Sequence, residues 1–88
     1  MTDAPYVAVF RAGRALVGLS QHDLAQLSGV SVAAIARIER YADNARLPCR
    51  RPTWQRLIGA LQGAGVEFLE ENATAGAGVR FRTRLTLT

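Results

Sequence analysis

The chain contains no lysine, one cysteine and one histidine in 88 residues. A single cysteine, Cys49, cannot close an internal disulfide, which fits a reducing cytosol. The only histidine, His22, lies on a different element from Cys49 with no second ligand near either, so no metal site and no cofactor is expected. No apolar run approaches the roughly 20 residues that span a bilayer, and the opening MTDAPYV has neither the basic flank nor the apolar stretch of a secretory leader. No membrane association is therefore expected, and a cytoplasmic location is. Catalytic constellations are missing too: there is no nucleophile–base–acid set and no metal cluster. Gly76 and Gly78 lack the strand-to-helix junction and the lysine of a phosphate loop. The expectation is a protein that is not an enzyme.

With lysine absent, all 11 basic residues are arginine, and against 7 acidic ones they leave a net charge of +4 and a pI near 10.6. Arginine forks bind phosphates and guanine edges in bidentate fashion, so this choice suits a nucleic-acid surface. A GC-rich genome, whose codons favour Arg, Ala, Gly and Val, also removes lysine, so charge alone does not decide the partner. At 49% hydrophobic and 20% charged residues the chain reads as globular, and its length suits one domain, 1–88, with a core over about 5–65 and an extension at 66–88.

The local patterns are sharper. Pro5 suits a first helical position, and Tyr6, Val9, Phe10, Gly13 and Leu16–Val17 recur near helical spacing, predicting a helix from about Pro5 to Leu16 that Gly18 ends. Ser20 stands where its hydroxyl can accept from the first-turn amides of a helix beginning at Gln21, and Asp23 can reach back to complete a capping box. Leu24, Ala25 and Leu27 form its apolar stripe, and Gly29 sits where a left-handed residue must stop it. Ser31 then caps a helix over Val32–Tyr41, with Ile35 and Ile38 aimed at the same core as Leu24 and Val30. Two helices joined by so short a turn must cross steeply, leaving the outer face of the second, with Val32, Ala33, Ala34 and Arg37, free to enter a groove.

The string Ser20-Gln21-x-x-Leu24-Ala25-x-x-x-Gly29-Val30-Ser31-x-x-x-Ile35-x-x-Ile38-Glu39 resembles the helix-turn-helix of the lambda-repressor-like, Cro/XRE-type transcriptional regulators. The resemblance covers residues 6 to 69 and implies a mainly α fold, a bundle of four to five helices, with double-stranded DNA as partner. It implies that Gln21 binds a phosphate and that Ser31, Val32, Ala33, Ala34 and Arg37 read bases. It further implies that Arg14 and Glu39 form a structural salt bridge between the first helix and the recognition helix. Where many members of the family carry Gln or Arg, Val32 and Ala33 offer only methyl groups, so part of the specificity would come from DNA shape.

Arg37 is the strongest base-reading candidate, one turn beyond Ala33 and Ala34 and able to reach a guanine O6/N7 pair. Arg40, Arg46, Arg50 and Arg51 join Gln21 as phosphate candidates because they sit at the end of the recognition helix or in the arginine-rich loop after it. Pro48 and Pro52 bound that loop, and a helix starting at Pro52 or Thr53 carries Trp54, Leu57, Ile58 and Leu61 on one side until Gly63 and Gly65 close it. Trp54 reads as core.

The remainder changes period. Val66–Leu69 and the alternating run Val79–Leu85 predict two antiparallel strands in a loose hairpin, separated by the polar link Glu70–Gly78. Arg80, Arg82 and Arg84 would share one strand face. A two-stranded ribbon is marginal alone, so Phe68, Val79 and Phe81 are expected to pack on the helices or dimerise the chain. The expected function is a homodimeric, sequence-specific regulator, most simply a repressor from a GC-rich bacterium, phage or mobile element. It would bind an operator of inverted half-sites about 34 Å apart on the nucleoid. With no effector domain in 88 residues, no small-molecule effector is expected. The alternative is an interaction module, an antitoxin or a partner of another regulator, whose ribbon grips a protein and for which DNA is secondary.

Overall fold

A computed structural model describes residues 3–84. Leu85, the last residue of the expected second strand, lies outside the described residues. Four helices, α1 (Val7–Leu16), α2 (Gln21–Ser28), α3 (Val32–Glu39) and α4 (Arg51–Gly63), are followed by an antiparallel ribbon of β1 (Val66–Leu69) and β2 (Gly78–Phe81).

α1 begins two residues later than Pro5, and its cap comes from a distant part of the chain. Val7 N–H donates to the Ala45 carbonyl at 2.8 Å and Ala8 N–H to the Asp43 carbonyl at 3.1 Å, satisfying first-turn donors that no side chain caps. Tyr6 is extended and forms an isolated bridge with Arg46, while Leu47 N–H donates to the Pro5 carbonyl at 3.0 Å. Pro5 and Tyr6 are thus used as strand against the 42–47 loop instead of as the first helical turn. Val7, Phe10 and Gly13 form the buried stripe of α1, at a spacing that keeps them on one face.

α2 carries the expected capping box in full. Ser20 Oγ accepts from Asp23 N–H at 2.9 Å, and Asp23 Oδ2 accepts from Ser20 N–H at 3.1 Å. These backbone and side-chain bonds from Ser20 hold the Asp23 carboxyl below its ordinary pKa. Gly29 ends the helix at φ +76°, a conformation that a Cβ would strain, and its N–H donates to the Ala25 carbonyl. The next helix restarts at once, with Ser31 Oγ accepting from Ala34 N–H at 3.1 Å.

α3 ends at Glu39, two residues short of Tyr41. Arg40 and Tyr41 donate to the carbonyls of Arg37 and Ile38, a tightening of the last turn that sends the chain toward the loop capping α1. Arg11 secures the end of α3, donating from Nη1 to the Glu39 carbonyl at 3.2 Å and pairing through Nη2 with Asp43.

α4 starts at Arg51, with Pro52 in its first turn, and buries Trp54, Leu57, Ile58 and Leu61. Together with Val7, Phe10, Leu24, Val30, Ile35, Ile38, Leu47 and Val66 they form one core. Each fully buried aliphatic or aromatic side chain contributes roughly 1.5–3 kcal/mol relative to its exposed state.

The ribbon pairs Val66 with Phe81, Glu67 with Arg80, Phe68 with Val79 and Leu69 with Gly78. Phe68 and Val79 pack on the helical core, so within one chain the ribbon finds its missing layer on the helices. β2 ends at Phe81 and does not continue as the alternating pattern predicts. Arg82 N–H donates to the Gly65 carbonyl at 2.8 Å, and beyond that rung β1 has no residue left to pair, because Gly65 at φ +110° turns the chain back into α4. Arg82 and Thr83 bend away, and Arg82 and Arg84 therefore do not share a strand face with Arg80.

Candidate nucleic-acid interface

The two faces of α3 differ completely. Ile35 and Ile38 are fully buried, whereas Ser31, Val32, Ala33 and Arg37 are exposed and Ala34 is half-buried at the boundary. No other element covers the exposed face among the described residues. The Ser31 oxygen is occupied by the cap, but its hydroxyl hydrogen can still donate.

Beside this face runs an open groove of about 410 Å³ between the α2–α3 turn, α3 and the first turns of α4. Arg37, Arg50 and Arg56 line it with Pro48, Cys49 and Thr53, and no carboxylate does. Three guanidinium groups around one concavity focus a positive potential suited to a phosphodiester backbone. Arg56 was not among the residues picked out from the sequence. On the polar side of α4 it resembles any solvated charge, and only the packing of α4 against the turn brings it beside Arg37 and Arg50. Arg40 is exposed at the end of α3, and Arg51 is exposed in the first turn of α4.

Cys49 is half-buried in the groove wall, and burial pushes its thiol pKa up in spite of nearby Arg37. At neutral pH it is a thiol and not a nucleophile. No group of three His, Cys, Asp or Glu side chains that could hold a metal ion occurs among the described residues, and His22 is exposed.

Behind the helix-turn-helix lies a buried polar knot. Glu39, 7% exposed, accepts from Arg14 Nε at 2.7 Å, Arg14 Nη2 at 2.6 Å and Gln21 Nε2 at 3.1 Å. Arg14 also donates from Nη1 to the Leu19 carbonyl at 2.9 Å, and the carboxylate bond raises its pKa further. This bidentate pair ties α1 to α3 and holds the Gln21 side chain against the end of α3. Gln21 retains its second amide hydrogen and its place in the first turn of α2, where backbone donors also point outward.

Arg46 stands apart from the other arginines. Its guanidinium lies 4.0 Å from the centre of the Tyr6 ring and donates to the Ala4 carbonyl, the Tyr6 hydroxyl and Glu71. Tyr6 in turn donates to Glu71 Oε1 at 2.7 Å, a bond that raises the phenol pKa. The cluster borders a cavity of about 150 Å³ between α1 and the turn end of the ribbon, not the groove beside α3. Arg80 is likewise partnered, donating to Glu67 Oε2 at 2.6 and 2.9 Å.

Residues 10–47, from the middle of α1 through the loop after α3, match a family model described as Helix-turn-helix. The chain carries a Cro/XRE-type helix-turn-helix. No curated protein matches the chain. The helix-turn-helix makes this a DNA-binding protein of the transcription-regulator class. Among the described residues no helix is long and apolar enough to cross a membrane.

Proposed function

We propose that the protein is a homodimeric, sequence-specific transcriptional repressor, acting on the nucleoid, that reads inverted half-sites of double-stranded DNA by placing α3 in the major groove. One observation carries this reading: the uncovered face of α3 continues into a groove lined by Arg37, Arg50 and Arg56 with no carboxylate. Arg37 reads a guanine through O6 and N7, a contact worth roughly 1–3 kcal/mol of discrimination. Val32 and Ala33 pack on thymine methyls, Ala34 fills the shallow edge, and Ser31 donates from its hydroxyl at the helix start. Gln21, Arg40, Arg50, Arg51 and Arg56 position the duplex through phosphates, each adding about 0.9 to the salt slope of log K. Arg46 is left out of this set, since Tyr6 and Glu71 already hold its charge.

The test is selection of bound sequences from a random duplex pool, repeated with Arg37→Ala at one salt concentration. The reading expects an inverted repeat in which the variant loses one guanine preference per half-site. A pool that yields no motif, with binding that vanishes at moderate salt, would overturn it.

A further inference from the structure

The homodimer in the proposed function still needs a contact, and the ribbon supplies a surface suited to one. The rung from Arg82 N–H to the Gly65 carbonyl, with the register of the two strands, sets which residues exchange hydrogen bonds. Antiparallel rungs alternate, so 67/80 and 69/78 are bonded pairs, and the N–H and C=O groups of Val79 and Phe81 point away from β1. The sheet has two strands, and no third strand covers this edge among the described residues. Phe68, by contrast, is spent inside the chain: its ring lies 3.3 Å from the position a Cβ on Gly13 would occupy.

The edge is also polarised. At the turn end of the ribbon stand Glu70, exposed, and Glu71, with Asp3 across the small cavity; Arg46 is the one base there and is paired with Glu71, so the end stays acidic. At the other end, past Phe81, stand Arg82 and Arg84, both exposed and without a carboxylate partner among the described residues. A strand edge with acid at one end and base at the other complements itself in one orientation only. Antiparallel pairing lays each basic end beside the other copy's acidic end, twice over, and parallel pairing sets like against like.

We infer that two copies of the chain join edge to edge through β2, antiparallel, into a four-stranded sheet whose ends are clamped by Arg82 and Arg84 of one copy and Glu70 of the other. The inference rests on the homodimer part of the proposed function and gives it a location. It also limits the register. Centring the two-fold axis on Arg80 would bring two arginines face to face, a destabilising pair. Centring it on Val79 sets Arg80 against Gly78 of the second copy, where no side chain competes for space. Such a contact is isologous and closed, so it stops at the dimer.

The test is sedimentation equilibrium of the full chain at low salt without DNA, on the wild type, Arg82→Glu, Glu70→Arg and the double variant. Both positions are exposed, so folding is not at issue. The wild type is expected to dimerise and each single variant to dimerise about tenfold more weakly, because every reversed contact occurs twice. The double variant is expected to recover most of the loss. Arg82→Glu brings the net charge closer to zero, so weakening by that variant reports the local contact and not overall repulsion. A monomeric wild type, single variants that dimerise normally, or a double variant that stays monomeric would overturn the inference. Duplex binding, measured separately, tells the two failures apart. A monomer that still selects half-sites sinks the dimer contact alone, while a dimer that selects no sequence sinks the DNA reading alone.

Discussion

Replacing Arg14 with methionine should unfold the helix-turn-helix far more readily than any surface arginine substitution. Methionine keeps the length and the helix preference of arginine, so the change isolates the charge and its hydrogen bonds. Three bonds disappear: two to the Glu39 carboxylate and one to the Leu19 carbonyl. Glu39 is then left with the single donor of Gln21, its side chain still only 6% exposed. Breaking a buried pair from one side costs about 3–5 kcal/mol, because the remaining charge is uncompensated. Arg14 is itself 21% exposed, so water can relieve part of the loss and the lower figure, about 3 kcal/mol, applies. For a domain of this size, with a total stability of about 4–13 kcal/mol, that is a large share. It corresponds to a fall in Tm of about 12–24 °C. Removing both partners with Arg14→Met and Glu39→Leu takes the orphaned charge away, and should return much of the stability. Urea and thermal denaturation followed by circular dichroism would measure all three proteins. A single variant within 1 kcal/mol of wild type, or a double variant no more stable than the single, would refute the argument that an uncompensated Glu39 is the source of the loss.

Other consequences follow from the same geometry. Hydrogen bonds from Ser20 lower the Asp23 pKa, so its contribution is present above the unfolded carboxylate pKa near 4 and disappears as pH falls through the lower folded value. Wild type and Asp23→Asn should therefore differ in Tm at pH 6 and converge near pH 2, whereas a constant gap would count against the capping box. Gly13→Ala brings a methyl to 3.3 Å from Phe68 Cζ and 3.5 Å from Val66 Cγ1. The helix preference of alanine, up to about 1 kcal/mol, offsets that crowding, so chemical denaturation should find it within about 1 kcal/mol of wild type. Gly13→Leu, in contrast, has no room and should lever the ribbon from α1, read as loss of hydrogen-exchange protection in residues 66–69 and 78–81. Burial raises the Cys49 pKa, so the native protein should react slowly with an aromatic disulfide at pH 7 and quickly once unfolded. Rapid labelling of the folded protein would contradict the packing of the groove wall.

The helix-turn-helix was legible because its information is local. Ser20, Asp23, Gly29 and Ser31 act within a few residues of themselves, through caps and one left-handed turn, and the three-residue spacing of Ile35 and Ile38 fixes which face of α3 is buried, whereas of the expected α2 stripe only Leu24 is fully buried and Leu27 is exposed. The burial of Trp54, Leu57, Ile58 and Leu61 was readable for the same reason. Element ends proved less so wherever a distant partner decides them. α1 starts at Val7 because carbonyls of Asp43 and Ala45 cap it, and β2 stops at Phe81 because β1 runs out of residues to pair. Neither partner is visible in the local pattern.

The same division holds for the candidate site. By itself the sequence determined the helix-turn-helix segment and the exposed placement of Arg37, since helical periodicity settles which side chains share a face. Only the tertiary structure decided which arginines lie together. It brought Arg56 beside Arg37 and Arg50, drew Arg46 away to Tyr6 and Glu71, and bound Gln21 to Glu39. The physical reason is range: a cap or a helical stripe is set within a turn or two of chain. Charge grouping depends on how α4, the ribbon and the loop pack against helices far away in sequence.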